Sequence, residues 1–105
     1  MLYHTVLFQF DDSLGKDRVD ETLAHLRQME QIPAVRSIAV GPNILVVSDG
    51  WDYGMTIVFD DFASMVAGFA DHPLHLEVLR DDVPRFSRLM SIDVSTDENE
   101  KGLRA

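Results

Sequence analysis

The sequence predicts a ferredoxin-like α+β fold, in which a four-stranded antiparallel sheet carries helices on one face. Strand-like and helix-like segments follow one another in the order strand, helix, strand, strand, broken helix, strand, which suits such a sheet. The 105 residues also have the usual length of one domain. We therefore expect a single domain over residues 2–95, followed by a polar C-terminal tail over residues 96–105.

The first two elements are marked by a change of hydrophobic period. Residues 3–10 alternate between apolar and more polar side chains, and a period of two is typical of a strand. Residues 16–31 instead place apolar side chains at helical spacing until Pro33 stops the run. The chain therefore begins with a strand and a helix.

The middle of the chain predicts two further strands. Residues 35–40 indicate the second strand, which Gly41-Pro42-Asn43 would end because these residues favour turns. Residues 53–59 alternate again and indicate the third strand. Residues 44–47 are ambiguous, since they could resume the second strand or pack under the loop that contains Trp51.

The second half of the chain predicts a helix that is broken in the middle. Asp60 and Asp61 can cap a short helix, and His72-Pro73 interrupts it because proline suits the first turn of a new helix. Pro84 ends this second helix, and residues 88–94 indicate the last strand.

The two faces of the predicted sheet differ in bulk. One face would carry large side chains that suit packing beneath helices, namely His4, Val6, Phe8, Phe10, Tyr53, Met55, Ile57, Phe59, Met90, Ile92 and Val94. The other would carry Thr5, Leu7, Gln9, Ser37, Ala39, Thr56, Val58, Leu89 and Ser91. This thinner face favours a homodimer that pairs sheet on sheet. A monomer with a solvated second face is the alternative, as antiparallel sheets allow.

The charge balance argues against two classes of partner. Lys and Arg total 9 against 18 Asp and Glu, a formal net charge of -9, so nucleic acid and anionic membrane surfaces are not expected to bind. The absence of cysteine excludes disulfides and thiolate metal sites. No segment approaches the ~18 apolar residues of a membrane span, and the N-terminus does not resemble a signal peptide. We expect a cytoplasmic protein.

The four histidines are the candidates for chemistry, since imidazole exchanges protons near neutral pH. His4 lies among apolar side chains on the covered face, where it must find a hydrogen-bond partner or line a cavity. His75 would occupy the first turn of the helix after Pro73 and face the sheet. His72 suits the cap of that helix, and His25 suits a partly exposed surface position. These residues do not form a defined coordination set, so no metal site is expected.

Several short motifs resemble the stress-responsive A/B barrel (Dabb) domain family. In chain order they are His4-Thr5-Val6-Leu7-Phe8, Ile32-Pro33-Ala34-Val35, Gly41-Pro42-Asn43, Trp51-Asp52-Tyr53-Gly54, Phe59 and His72-Pro73-Leu74-His75. The resemblance covers residues 2–95 and implies a dimeric α+β barrel, in which the sheets of two chains pack together. It also implies a pocket between sheet and helices in each chain.

The resemblance carries expectations about chemistry as well. In a polyketide cyclase of this family, such a pocket folds a linear substrate for an aldol condensation that needs no metal or organic cofactor. This implies that His75 is the catalytic base and His4 the hydrogen-bond donor. The implied substrate-binding residues are Phe69, His25, Phe8 and His72, with Phe69 and His25 standing where the cyclase has tyrosines.

Two functional hypotheses stay open at this point. The first is a cofactor-free lyase, cyclase or oxygenase that acts on a hydrophobic carbonyl compound. The second is a non-catalytic stress-responsive or small-molecule-binding protein whose histidines are hydrogen-bonded within the core. A cavity of a few hundred Å³ that reaches both imidazoles favours the first hypothesis, and a filled core favours the second.

Overall fold

The computed structural model describes residues 1–45, 47 and 49–102 and contains one four-stranded antiparallel sheet. Its strands are β1 (Leu2–Phe10), β2 (Ser37–Pro42), β3 (Tyr53–Phe59) and β4 (Phe86–Ser95). They lie in the order β2-β3-β1-β4, and every neighbouring pair is antiparallel. The predicted ferredoxin-like fold is confirmed.

Three helices cover one face of this sheet. They are α1 (Lys16–Arg27) with a 3₁₀ turn (Gln28–Gln31), α2 (Phe62–Met65) with a π-helical turn (Val66–Ala70), and α3 (Pro73–Asp81) with a 3₁₀ turn (Val83–Arg85). The core between helices and sheet is built from large apolar side chains: Leu2, Val6, Phe8, Phe10, Leu23, Leu26, Met29, Ile32, Val35, Met55, Ile57, Phe59, Phe69 and Val78. Burial of this apolar surface holds the two layers together.

The helix boundaries follow local chemistry. The Asp61 side chain caps α2, because its Oδ1 accepts a hydrogen bond from the Ser64 backbone nitrogen at 2.7 Å. Helix α3 starts at Pro73, which lacks the N–H that a first helical residue leaves unpaired. The break predicted between α2 and α3 is therefore present, and it is made by the residues expected to make it.

The region around the β2–β3 connection differs from expectation. Strand β2 continues through Gly41 to Pro42, which pairs with Tyr53, and proline is tolerated there because β2 is an edge strand with no further neighbour. Ile44 and Leu45 belong to no strand, and the side chain of Ile44 is 95% exposed. Val46, part of the ambiguous segment, lies outside the described residues.

The prediction of which β4 side chains lie on which face of the sheet is wrong, because the strand contains a bulge. Gln9 pairs with Arg88 but Phe10 pairs with Phe86, so Ser87 is an extra residue without a partner on β1. Its hydroxyl hydrogen-bonds to the backbone carbonyls of Gln9 and Phe10. A shift of one residue turns every later side chain to the other face.

After the bulge, the two faces of β4 exchange their predicted residues. Ser91 pairs with Val6 and therefore lies on the helix-covered face together with Leu89 and Asp93. The three residues expected beneath the helices, Met90, Ile92 and Val94, instead lie on the open face of the sheet and are about half exposed. The open face is consequently more apolar than the sequence suggested.

Residues 96–102 fold back onto the domain. The Thr96 backbone nitrogen donates to the Met1 carbonyl oxygen at 2.9 Å, and the Glu100 side chain accepts a hydrogen bond from the Phe62 backbone nitrogen at 2.6 Å. The described part of the tail is thus attached to the start of β1 and of α2.

In the described part of the chain, no helix combines the length and the apolar character needed to cross a membrane. The cytoplasmic location and the absence of nucleic-acid binding stay predictions.

Gly68 lies where the chain leaves no space for a side chain, and it gives the first prediction. A Cβ atom at this position would lie 2.7 Å from the Ala34 Cβ atom. Overpacking costs about 1–3 kcal/mol, which exceeds the roughly 1 kcal/mol that alanine gains over glycine within a helix. We expect Gly68→Ala to lower the free energy of unfolding by about 1 kcal/mol, measured by urea denaturation.

The companion variant Ala34→Gly tests the cause of this loss. In the double variant the added methyl group has space, so the Gly68→Ala substitution should cost less there than in the native chain. Equal losses in both backgrounds would show that the Ala34 contact is not responsible.

Candidate functional site

A cavity of about 280 Å³ lies between the sheet and the three helices. Its lining is apolar except for three side chains, His4 of β1, His75 of α3 and Ser91 of β4. The remaining walls are Val6, Phe8, Leu26, Met29, Met55, Ile57, Met65, Phe69, Ala70, Val78, Leu79, Val83, Phe86 and Leu89. The structure therefore brings together two histidines that are 71 positions apart in an otherwise apolar space.

The orientation of His75 follows from the break between α2 and α3. A helix leaves its last carbonyl groups without backbone partners, and Ala70 is the last residue of the π-helical turn. Pro73 has no N–H to offer, and the Leu74 N–H donates to Nδ1 of His72 instead. The Ala70 carbonyl oxygen is taken by Nδ1 of His75, at 2.9 Å.

This bond fixes which nitrogen of His75 carries hydrogen. A carbonyl oxygen only accepts hydrogen bonds, so Nδ1 is the protonated nitrogen and Nε2 of the neutral ring is a lone-pair acceptor. Nε2 has no hydrogen bond to any described residue. His75 thus presents a basic nitrogen at the wall of the cavity.

His4 is held by a carboxylate. Its Nδ1 lies 2.7 Å from Oδ1 of Asp93, which faces it across the β1–β4 pair. The carboxylate accepts the Nδ1–H, so Nε2 is the nitrogen of His4 that is available to a ligand. The His4 side chain is largely buried, whereas that of Asp93 is partly exposed.

The two imidazoles share one aromatic neighbour. The ring of Phe69 lies 4.1 Å from the ring of His75 and 6.4 Å from that of His4, measured between centroids. Phe69 is buried and packs edge-on against Phe59. It is a rigid apolar contact for both histidines.

Four of the six residues expected at a site line the cavity: His75, His4, Phe69 and Phe8. His72 does not line it, and its Nδ1 caps α3 as described above. His25 does not line it either, because its ring turns away from the cavity toward α3. Substrate binding by these last two residues finds no support in their positions.

His25 bridges two helices at the surface. Its Nδ1 lies 2.6 Å from Oδ2 of Asp82, and its Nε2 lies 2.8 Å from Oε1 of Glu77. Asp82 is only 2% exposed. Burial by itself lowers the pKa of His25, but the hydrogen bonds to Glu77 and Asp82 outweigh it and raise that pKa above its ordinary value. Burial raises the pKa of Asp82, against the influence of His25.

Sequence reasoning missed Asp93, which becomes a neighbour of His4 only through strand pairing. One local signal was available, since aspartate is depleted in strands and Asp93 stands between Ile92 and Val94. Ser91 was missed for a different reason, because the bulge turned it toward the cavity.

Within the described ranges, no group of three or more His, Asp or Glu side chains is arranged to hold a metal ion. The expectation that no metal or organic cofactor takes part stays a prediction.

Comparison with known proteins identifies the family. A model of the stress-responsive A/B barrel domain matches residues 2–96. The chain belongs to the stress-responsive A/B barrel (Dabb) family. No curated protein matches it significantly.

Several solved structures share the fold at low sequence identity. The hydroxynitrile lyase from Passiflora edulis superposes with a TM-score of 0.82 at 17% identity, over 95% of this chain and 96% of that one. A Dabb family protein from Mesorhizobium loti gives 0.78 at 24% identity, over 90% and 94%. A dimeric ferredoxin-like protein of unknown function from Jannaschia sp. gives 0.74 at 26%, over 90% and 97%.

The His25 bridge predicts how stability depends on pH. Both ring nitrogens face carboxylates, so both hydrogen bonds require the doubly protonated ring. Because the folded pKa is raised, this contribution is complete below the ordinary value of 6.5 and is lost as the pH rises through the folded pKa. We expect the midpoint temperature of thermal unfolding to fall when the pH is raised from about 6 to about 8.

The variants His25→Gln and Glu77→Gln provide the comparison. The first removes the titrating group and should abolish this pH dependence, and the second removes one partner and should reduce it. An equal fall of the midpoint in the native chain and in His25→Gln would assign the effect to other groups.

Proposed function

We propose that this protein is a cofactor-free acid/base enzyme that acts on a small hydrophobic carbonyl compound in a lyase or cyclase type of reaction. The observation that carries the proposal is one apolar cavity of about 280 Å³ that reaches both His4 and His75. Small-molecule sites are usually concave and apolar with few polar groups. Each imidazole also keeps an Nε2 atom without a hydrogen bond to any described residue, and acid/base catalysis needs such an available nitrogen.

The partners of the two histidines support different roles. His75 donates to a neutral carbonyl oxygen, whereas His4 faces the carboxylate of Asp93. A carboxylate favours a positively charged imidazole more strongly than a carbonyl oxygen does. We therefore assign the base to His75 and the hydrogen-bond donor to His4, a role that requires hydrogen on both ring nitrogens of His4.

The proposed step is proton abstraction beside a carbonyl group. Nε2 of His75 takes the proton from the carbon, and the electron pair of the broken C–H bond moves through the carbonyl to its oxygen. That oxygen, now negative, accepts a hydrogen bond from Nε2–H of His4. The enolate can attack a second carbonyl, or protonation can return the compound to its starting form.

Proton exchange tests the base without knowledge of the natural substrate. In deuterium oxide, the protein should accelerate the exchange of the benzylic protons of phenylacetone, followed by nuclear magnetic resonance. His75→Ala should lower the protein-dependent rate about a hundredfold or more, since it removes the general base. Asp93→Asn should cause a smaller loss, because it keeps the His4 ring but removes the charge that favours its protonated form.

Added imidazole provides the control for this prediction. It should restore part of the protein-dependent exchange rate in His75→Ala, where the lost side chain leaves space. It should not raise that rate in the native chain. If His75→Ala exchanges protons as fast as the native chain, His75 is not the base.

We also propose that two copies pair through the open face of the sheet. Met90, Ile92 and Val94 form a half-exposed apolar ridge along β4. A groove of about 420 Å³ lies over the other strands, and its lining includes five small residues, Thr5, Ala39, Gly41, Gly54 and Thr56. A two-fold axis would place the ridge of each copy on the groove of the other. The dimeric relative from Jannaschia sp. is consistent with this pairing.

The dimer has a direct test in sedimentation. Ile92→Arg places a charge on the ridge and should convert the dimer to a monomer of 11.9 kDa. Leu76→Arg is the matched control, because Leu76 is 47% exposed on α3 and Ile92 is 50% exposed, yet Leu76 lies outside the open face. A monomeric native chain at micromolar concentration would contradict the pairing, as would dissociation by both variants.

A further inference from the structure

The two histidines of the cavity lie at one end of its floor. Along β1, the side chains of His4, Val6 and Phe8 follow one another on the helix-covered face, and four residues of strand separate the first from the last by about 13 Å. His75 belongs to the His4 end, because both rings contact Phe69.

The opposite end of the floor is aromatic. The rings of Phe8 and Phe86 lie 4.5 Å apart between centroids, and both line the cavity. Phe10 and Tyr53 pack against Phe8 on its other sides. Among the described residues, the side chains that line the cavity at this end are apolar.

The cavity contains no counter-ion for a charged ligand. Among the described residues, no lysine, arginine, aspartate or glutamate lines it. A protonated His4 already has its counter-ion in Asp93, and neutral His75 presents a lone pair that repels an anion. A carboxylate or an ammonium group would lose its hydration on entry without gaining a partner, which is strongly unfavourable.

The surface next to the cavity adds to this discrimination against anions. A groove of about 680 Å³ shares Ser91 with the cavity and is lined by Asp93, Asp97, Glu98 and Glu100, against one cation, Lys101, in the described part of the chain. The chain as a whole is also negative, with a formal net charge of -9. An approaching anion is repelled before it reaches the histidines.

We infer that the cavity selects an uncharged compound, with a carbonyl or hydroxyl group at the histidine end and an apolar ring or chain at the Phe8 end. Carboxylates and amines with the same body are rejected. The inference rests on the proposed function for the identity of the site, but it concerns binding and not turnover.

Three compounds that share a phenylethyl group and differ in charge test the inference. Benzylacetone is neutral, hydrocinnamate carries a carboxylate, and phenylpropylamine carries an ammonium group. Calorimetric titration at neutral pH, where the acid and the amine are both ionised, should give a dissociation constant for benzylacetone at least about tenfold below those of the two ions. Equal binding of either ion overturns the inference, as does the failure of benzylacetone to bind at millimolar concentration.

A charge introduced at the exposed side of the cavity tests whether the ligand binds there. Ser91 is exposed and lines the cavity, so Ser91→Arg should fold and supply the missing counter-ion. We expect hydrocinnamate to bind this variant at least about tenfold more tightly than the native chain, and Ser91→Gln, the uncharged control, to leave its affinity unchanged. Unchanged hydrocinnamate binding in Ser91→Arg places the ligand elsewhere and overturns the inference.

The two proposals fail in different ways. Selective binding of benzylacetone without proton exchange contradicts the acid/base function alone. Proton exchange that depends on His75, together with binding that ignores ligand charge, contradicts the charge selection alone.

Discussion

A one-residue bulge in β4 decides which side chains of this strand lie on each face of the sheet. With Ser87 left out of the pairing, Ser91 and Asp93 turn toward the helices, and Met90, Ile92 and Val94 turn to the open face. Without it, the pairing of Phe10 with Phe86 would place Met90 opposite Val6 and Ile92 opposite His4, and Asp93 could not reach His4. The candidate site and the apolar ridge are therefore two consequences of the same backbone irregularity, as expected where bulges redirect side chains.

The second constraint is the proline between α2 and α3. Pro73 cannot donate a hydrogen bond, and His72 takes the next backbone N–H, so the end of α2 keeps a free carbonyl oxygen. His75 occupies that oxygen through Nδ1. A requirement of backbone hydrogen bonding thus sets the tautomer of a side chain, and it leaves Nε2 without a hydrogen bond to any described residue.

The histidines differ in the hydrogen bonds that they form. His25 has both nitrogens engaged by carboxylates, one of them on the buried Asp82, so it acts as a link between α1 and α3. His4 has one carboxylate and His75 has one carbonyl oxygen, and in each ring the other nitrogen has no hydrogen bond to a described residue. Residue type alone does not distinguish these cases, since all three are partly buried imidazoles beside hydrogen-bond acceptors.

The sequence by itself determined the order and type of the elements, the break at His72-Pro73 and the candidacy of His4 and His75. These features depend on local periodicity, on caps and on the missing N–H of proline, which neighbouring residues fix. Only the tertiary structure decided the facing of β4, the pairing of His4 with Asp93 and the position of His25 outside the cavity. The physical reason is that strand register and helix packing join residues 57 or more positions apart, and a single bulge inverts a strand without changing its alternating pattern.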